Sequence, residues 1–174
     1  MRFSLNSIFK HFLYSFILIT LVIVQSTFFA KLEIFGARPQ LVLLFVCTLS
    51  FFEGAKSGAV YGFIGGYVLD LICGGGLFFS GVIYMLICYL AAYAVELYFS
   101  DEYLPFLAIS FAFLIAKHIL DVFAIIANYK EINIFKTIFY IFLPETLYTL
   151  LLSAFIFFPI RLLCAKLNKD SYIQ

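Results

Sequence analysis

Tryptophan is absent from this chain of 174 residues, histidine occurs twice, and only 12% of the residues are charged. Each shortage removes a class of function. So few charges cannot solvate a sizeable soluble domain. The hydrophobic fraction of 65% and mean hydropathy of +1.10 far exceed the roughly 45–50% apolar content of soluble proteins. No polar stretch long enough for a second domain interrupts the sequence, so residues 1–174 read as one integral membrane domain surrounded by membrane lipids. A formal net charge of +1 offers no basic face for nucleic acid, and no nucleic-acid partner is expected.

Signatures of chemistry are missing as well. Cys47, Cys73, Cys88 and Cys164 are scattered through apolar runs without C-x-x-C spacing, so neither a metal nor a structural disulfide is expected. Asp70 and Asp121 are preceded by YVL and HIL, not by the G-x-G of a two-aspartate intramembrane protease. Ser26, Ser110 and Ser153 lack a glycine-rich nucleophile setting, and there is no H-E-x-x-H. The expectation is a protein that is not an enzyme and needs no cofactor.

What is abundant is apolar sequence in runs. The first, Phe12 to Ala30, follows Arg2 and Lys10 as a secretion signal would. It exceeds a signal's apolar region, and Phe28 and Phe29 stand where cleavage needs small residues, so it is expected to remain as a span. Five more runs follow: Leu41 to Phe52, Ala59 to Ile72, Phe78 to Tyr98, Leu104 to Ala127, and one within Phe139 to Leu163. The fold class is therefore an all-α integral membrane protein with six transmembrane segments. At a rise of about 1.5 Å per residue, the second and third are too short to cross an apolar layer of about 30 Å unaided. They are expected to form a short glycine-rich helical hairpin around Glu53 to Ser57, either drawing extra turns from their flanks or thinning the bilayer.

The last run has two readings. Pro144 suits a helix's first turn and Glu145 its positive end, which predicts a span from Pro144 to Leu163 with Ile132 to Leu143 at the interface beside Lys130 and Lys136. Alternatively the span starts at Thr137 and Pro144 kinks it. With six spans, Arg2, Lys10, Lys56, Arg161, Lys166 and Lys169 share one side, against Lys31, Arg38, Lys130 and Lys136 on the other. The bias predicts both termini in the cytoplasm.

Two sets of residues stand out. Gly54, Gly58, Gly62 and Gly66, with Gly65, form a ladder of small residues whose four-residue steps advance a helix by about 400°, making one slowly turning groove. Either another helix of the same chain fills it, which is the preferred reading, or a partner subunit does. The second set is ionisable: Asp70, Lys117, His118, Asp121 and Glu145. Asp121 lies four residues after Lys117 and three after His118, so either cation can reach it on one helix face. Lysine before aspartate is the weaker order on an isolated helix, which points to other helices fixing the pair. The cluster is either a neutralised ion pair that specifies packing, a proton or ligand path, or a contact to another protein. Asp70, near the Gly74 to Gly76 turn, is expected near an interface, hydrated or bonded to that turn. A ring of buried charges also fits a substrate-binding membrane subunit of a small-molecule transporter, although the first span lacks the A-x-x-x-A with which vitamin-uptake subunits dock.

The stretch from Pro39 to Tyr93 resembles the core of the bacterial rod shape-determining MreD family. The features that carry the resemblance are Pro39, Leu41 to Leu44, Gly54, Gly58, Gly62-Phe63, Gly65-Gly66, Asp70, Gly74 to Gly76, and Leu86 to Tyr93, in that order. Leu143-Pro144, Tyr148, Pro159 and Arg161 are similar to the family's last helix. Leu77-Phe78 and Thr149 depart from its pattern, which often has Leu-Gly and Asn at those places. The resemblance implies a non-enzymatic inner-membrane scaffold of the cell-elongation, peptidoglycan-synthesising complex. Implied partners are a bitopic MreC-like protein, a RodA-type glycosyltransferase with its penicillin-binding transpeptidase, and, indirectly, the MreB cytoskeleton. It also implies the fold of the vitamin-uptake (ECF) substrate-binding subunits.

Overall fold

The computed structural model describes residues 5–31, 37–73, 79–98, 103–128 and 138–169. The Gly74 to Gly76 turn, Leu77-Phe78 and the segment from Lys130 to Lys136 lie outside them. The elements of the described chain are all helices, with Ala37 to Gln40 and Gly54 between them. Helix α1 (Leu5–Ile23) continues through a π turn, Val24–Phe28, into a short α2 (Phe29–Lys31). Helices α3 (Leu41–Glu53), α4 (Ala55–Cys73), α5 (Phe79–Tyr98) and α6 (Tyr103–Asn128) follow, and a second π turn, Ile138–Phe142, leads into α7 (Leu143–Lys169). Among the described residues, three stretches are long and apolar enough to cross a membrane: Ile8–Phe28, Tyr103–Val122 and Phe139–Leu167.

Helix α3 is the centre of the molecule. Its sequence, LVLLFVCTLSFFE, is apolar on every side, and such a helix must be covered on every side. Every residue from Leu41 to Phe51 is buried. The hydroxyls it carries are satisfied: Thr48 donates to the Leu44 carbonyl at 2.7 Å, and Ser50 to the Cys88 carbonyl on α5. Its C-terminal half packs through an aromatic cluster in which Phe51 meets Phe106 of α6 and Phe157 of α7 edge to face while those two lie tilted on each other, with centroids 4.7–6.1 Å apart. Because other helices cover it, α3 can be 13 residues long, about 20 Å, without meeting lipid along its sides.

The hairpin between α3 and α4 is tighter than its sequence indicates. In place of a turn over Glu53 to Ser57, Gly54 alone links the helices, at a φ of 85°. That left-handed conformation suits glycine, and its N–H still closes α3 by bonding the Ser50 carbonyl at 3.1 Å. Helix α4 draws its extra turn from Ala55 to Gly58 and reaches 19 residues, about 28 Å.

The glycine ladder is filled from within the chain. Gly58 packs on Ser50 of α3, Gly65 on Val42 of α3 and Leu18 of α1, and Gly66 on the Ser80 and Gly81 backbone of α5. At Gly62 a methyl group would lie 2.8 Å from the Tyr84 carbonyl oxygen. Gly54 belongs to the turn and faces open space.

The last helix does not start at Pro144. The π turn runs straight into α7, of which Pro144 is the second residue, so helical structure already includes Ile138 to Leu143. Proline has no N–H to bond the carbonyl one turn back, and the wider π turn shifts the hydrogen-bond ladder at that point.

Candidate functional site

Polar side chains gather at the two ends of α3. At its N-terminal end, Gln25 in the first π turn accepts a hydrogen bond from the Val42 N–H at 2.9 Å, one of the donors that a helix start leaves unpaired. Gln40, just before α3, is the hub. Its amide donates to Glu145 Oε1 at 2.9 Å, and its carbonyl accepts from Tyr84 of α5 at 2.8 Å and Gln25 at 3.4 Å. Its backbone N–H reaches Thr149 of α7 at 3.1 Å. Thr149 donates in turn to the Glu145 carbonyl at 2.6 Å, so the departure from the family pattern at this position is built into the network.

Charge enters through α6 and α7. Lys117 Nζ lies 2.7 Å from Asp121 Oδ2 and 3.4 Å from Glu145 Oε1. One ammonium thus serves two carboxylates on different helices, which holds a lysine-before-aspartate pair that an isolated helix would favour weakly. The Lys117 and Glu145 side chains are 12% and 9% exposed, whereas Asp121 is 35% exposed and is the open edge of the cluster. His118 stacks on Phe142, with centroids 4.4 Å apart, and its Nε2 lies 3.0 Å from Thr146 Oγ1. Thr146 spends its own proton on the Phe142 carbonyl at 2.7 Å, so Nε2 is the donor to it. His118 Nδ1 faces Asp121 Oδ2 at 3.9 Å.

A second network closes the other end. Lys10 pairs with Glu53, and Tyr14 donates to Glu53 at 3.0 Å while accepting from the Cys164 thiol at 3.2 Å. The Tyr61 hydroxyl sits 2.9 Å from His11 Nδ1. The start of α1, the end of α3, the start of α4 and the end of α7 therefore meet at one end. The end of α1, the start of α3, α5 and α7, and the later part of α6 meet at the other. Successive long helices alternate in direction.

The sequence-predicted cluster is thus partly assembled. Lys117, His118, Asp121 and Glu145 converge, but Asp70 stands apart from them. Asp70 Oδ2 accepts the Ser80 N–H at 2.9 Å, capping the start of α5 where a helix's positive end favours an anion. Gln25, Gln40 and Tyr84 carry no mark in the sequence, and Thr149 stands out there only as a departure from the family pattern. The available signal was two glutamines beside apolar runs, where an amide must find partners. Among the described residues, no three His, Cys, Asp or Glu side chains are placed to hold a metal ion.

Replacing Gln40 by leucine removes three side-chain contacts at once, strands Tyr84 and leaves Glu145 with Lys117 alone. Thermal unfolding in detergent is expected to show a loss of about 2–4 kcal/mol, against about 1–2 kcal/mol for Gln25→Leu, which strands only the Val42 N–H. Equal losses from the two would deny Gln40 its place as hub.

A family model described as rod shape-determining protein MreD matches residues 6–167. The chain belongs to the MreD family. Membership places it among rod shape-determining proteins, a family not known for enzymes, and together with its three apolar helices marks it as a membrane protein. No curated protein and no solved structure matches it. The match takes in both polar networks and every residue of the glycine ladder.

Proposed function

We propose that this MreD-family chain is a non-enzymatic scaffold of the bacterial cell-elongation complex, held in the inner membrane by six crossings with both termini in the cytoplasm. Family membership over residues 6–167 carries the reading. The alternating helix directions support an even number of crossings, and the excess of lysine and arginine near the termini supports their cytoplasmic placement. The scaffold acts by association: it holds a bitopic MreC-like protein and positions a RodA-type glycosyltransferase with its penicillin-binding transpeptidase, with the MreB cytoskeleton coupled through them.

Physical support comes from how the chain spends its polar groups. Buried amides and charges bind helix to helix at both ends of α3, which suits a rigid body that presents its outer faces to partners. Depletion in the host is the test: cells are expected to round up and widen within a few generations. Cells that stay rod-shaped and lose uptake of one nutrient would instead establish the small-molecule transporter subunit.

A further inference from the structure

Beside the charged cluster, a groove of about 320 Å³ runs between α6 and α7. Ile115, Ile119 and Val122 form one wall, Phe142 and Leu143 the other, and His118 and Thr146 line it as well. From Phe111 to Val122 it extends about 16 Å along α6. Ile115, Ile119 and Leu143 are 42–52% exposed, so the groove is open along its side. Both helices belong to stretches long and apolar enough to cross a membrane, so the medium it opens to is lipid.

The polar part of this wall lacks a donor. His118 is 6% exposed, and among the described residues its Nδ1 has no hydrogen-bond partner. Because Nε2 donates to Thr146, the neutral ring presents a lone pair at Nδ1, and what it faces at 3.9 Å is Asp121 Oδ2, a second acceptor. Two acceptors with no proton between them leave a buried nitrogen unsatisfied, which folded chains rarely tolerate. Charge points the same way. Within the cluster Asp121 and Glu145 set two negative charges against the one positive charge of Lys117, so with a neutral ring a further cation is called for. Asp121 is the open edge, and the two apolar stretches have their ends here, at Val122 and Phe139, where a lipid carries its headgroup.

We infer that the groove between α6 and α7 is a binding site for an ethanolamine-type phospholipid. One acyl chain lies along Ile115, Ile119 and Val122, and the primary ammonium of the headgroup donates to Asp121 and to His118 Nδ1. The ammonium supplies both things the cluster calls for, a positive charge and N–H donors. A choline headgroup has the charge without an N–H. A glycerol headgroup has hydroxyl donors but leaves its phosphate uncompensated beside a cluster that is already negative. A water molecule would donate, yet it brings no charge and has no hydrocarbon for the groove.

The purified chain suffices for the test, so failure here leaves the scaffold reading untouched. Native mass spectrometry compares retention of phosphatidylethanolamine, phosphatidylcholine and phosphatidylglycerol with identical acyl chains. The ethanolamine lipid is expected to be retained about tenfold more than either of the others, the step that one hydrogen bond to a charged group makes. Asp121→Asn is expected to level the ethanolamine and choline lipids. Ile119→Trp fills the groove from an exposed position, and is expected to abolish the preference with the melting temperature unchanged. Equal retention of the three lipids by the wild type would overturn the site, leaving hydrocarbon or water as what the groove holds. A preference that survives Ile119→Trp would place the lipid elsewhere on the surface and overturn it too.

Discussion

Gly66→Leu is expected to abolish the folded protein. Gly66 meets the Ser80 carbonyl and the Gly81 Cα, both backbone atoms of a neighbouring helix, so a side chain there has no rotamer to yield. Relief requires moving α5 as a body, and α5 is tied to the rest by Tyr84 on Gln40, Ser50 on the Cys88 carbonyl and Asp70 on the Ser80 N–H. Ordinary overpacking costs about 1–3 kcal/mol because side chains rearrange, and here the cost is expected to exceed about 3 kcal/mol. Against a total stability on the order of 5–15 kcal/mol, that removes much of the margin. Size-exclusion profiles of detergent-solubilised protein should show loss of the monodisperse peak for Gly66→Leu and Gly62→Leu. Gly54→Ala is the contrast: nothing lies within 4 Å, and only the backbone, at φ 85° and ψ 172° where glycine is almost alone, is strained, at about 1–3 kcal/mol. A monodisperse, normally melting Gly66→Leu protein would contradict the packing described.

Lys117→Met is expected to cost about 3–5 kcal/mol, because it leaves two buried or half-buried carboxylates without their cation. The more informative result lies in the recovery. Were Lys117 and Asp121 a simple pair, Lys117→Met, Asp121→Leu would restore stability. Glu145 shares the same ammonium, so the double change still strands one carboxylate, and only partial recovery is expected. Adding Glu145→Gln, which keeps an acceptor for the Gln40 amide, should recover most of the remainder. Thermal unfolding in nanodiscs reads all three variants. Full recovery in the double variant would show that Glu145 does not depend on Lys117, and equal loss in all three would show that the cost at Lys117 does not come from stranded carboxylates.

Much of the candidate site was legible because its signals are local. Lys117, His118 and Asp121 fall within one turn of one helix, so spacing alone places them together, and the weak order of the lysine and aspartate already asked for a third group. That group is Glu145, 28 residues from Lys117. Asp70 shares only its ionisable type with the cluster, and as its place after the glycine ladder suggests it acts at the end of α4, where it caps the start of α5. Its partner is a backbone N–H, which sequence never marks. Gln40 is illegible in the sequence for a related reason: its four long-range hydrogen bonds reach residues from 15 to 109 positions away, and no spacing rule connects them.

Long continuous apolar runs by themselves determined that this is a helical membrane protein, since such a run can pair its N–H and C=O groups in hydrocarbon only within itself. The ordered glycines and the Pro39 to Tyr93 pattern determined the family. Tertiary structure alone decided that the glycine ladder is filled by α1, α3 and α5 of the same chain, and that a 13-residue helix can stand at the centre. Both turn on which surfaces meet across long sequence separations. Small residues fix how closely helices approach, whereas the choice of neighbour follows from packing and polar pairing summed over the whole chain.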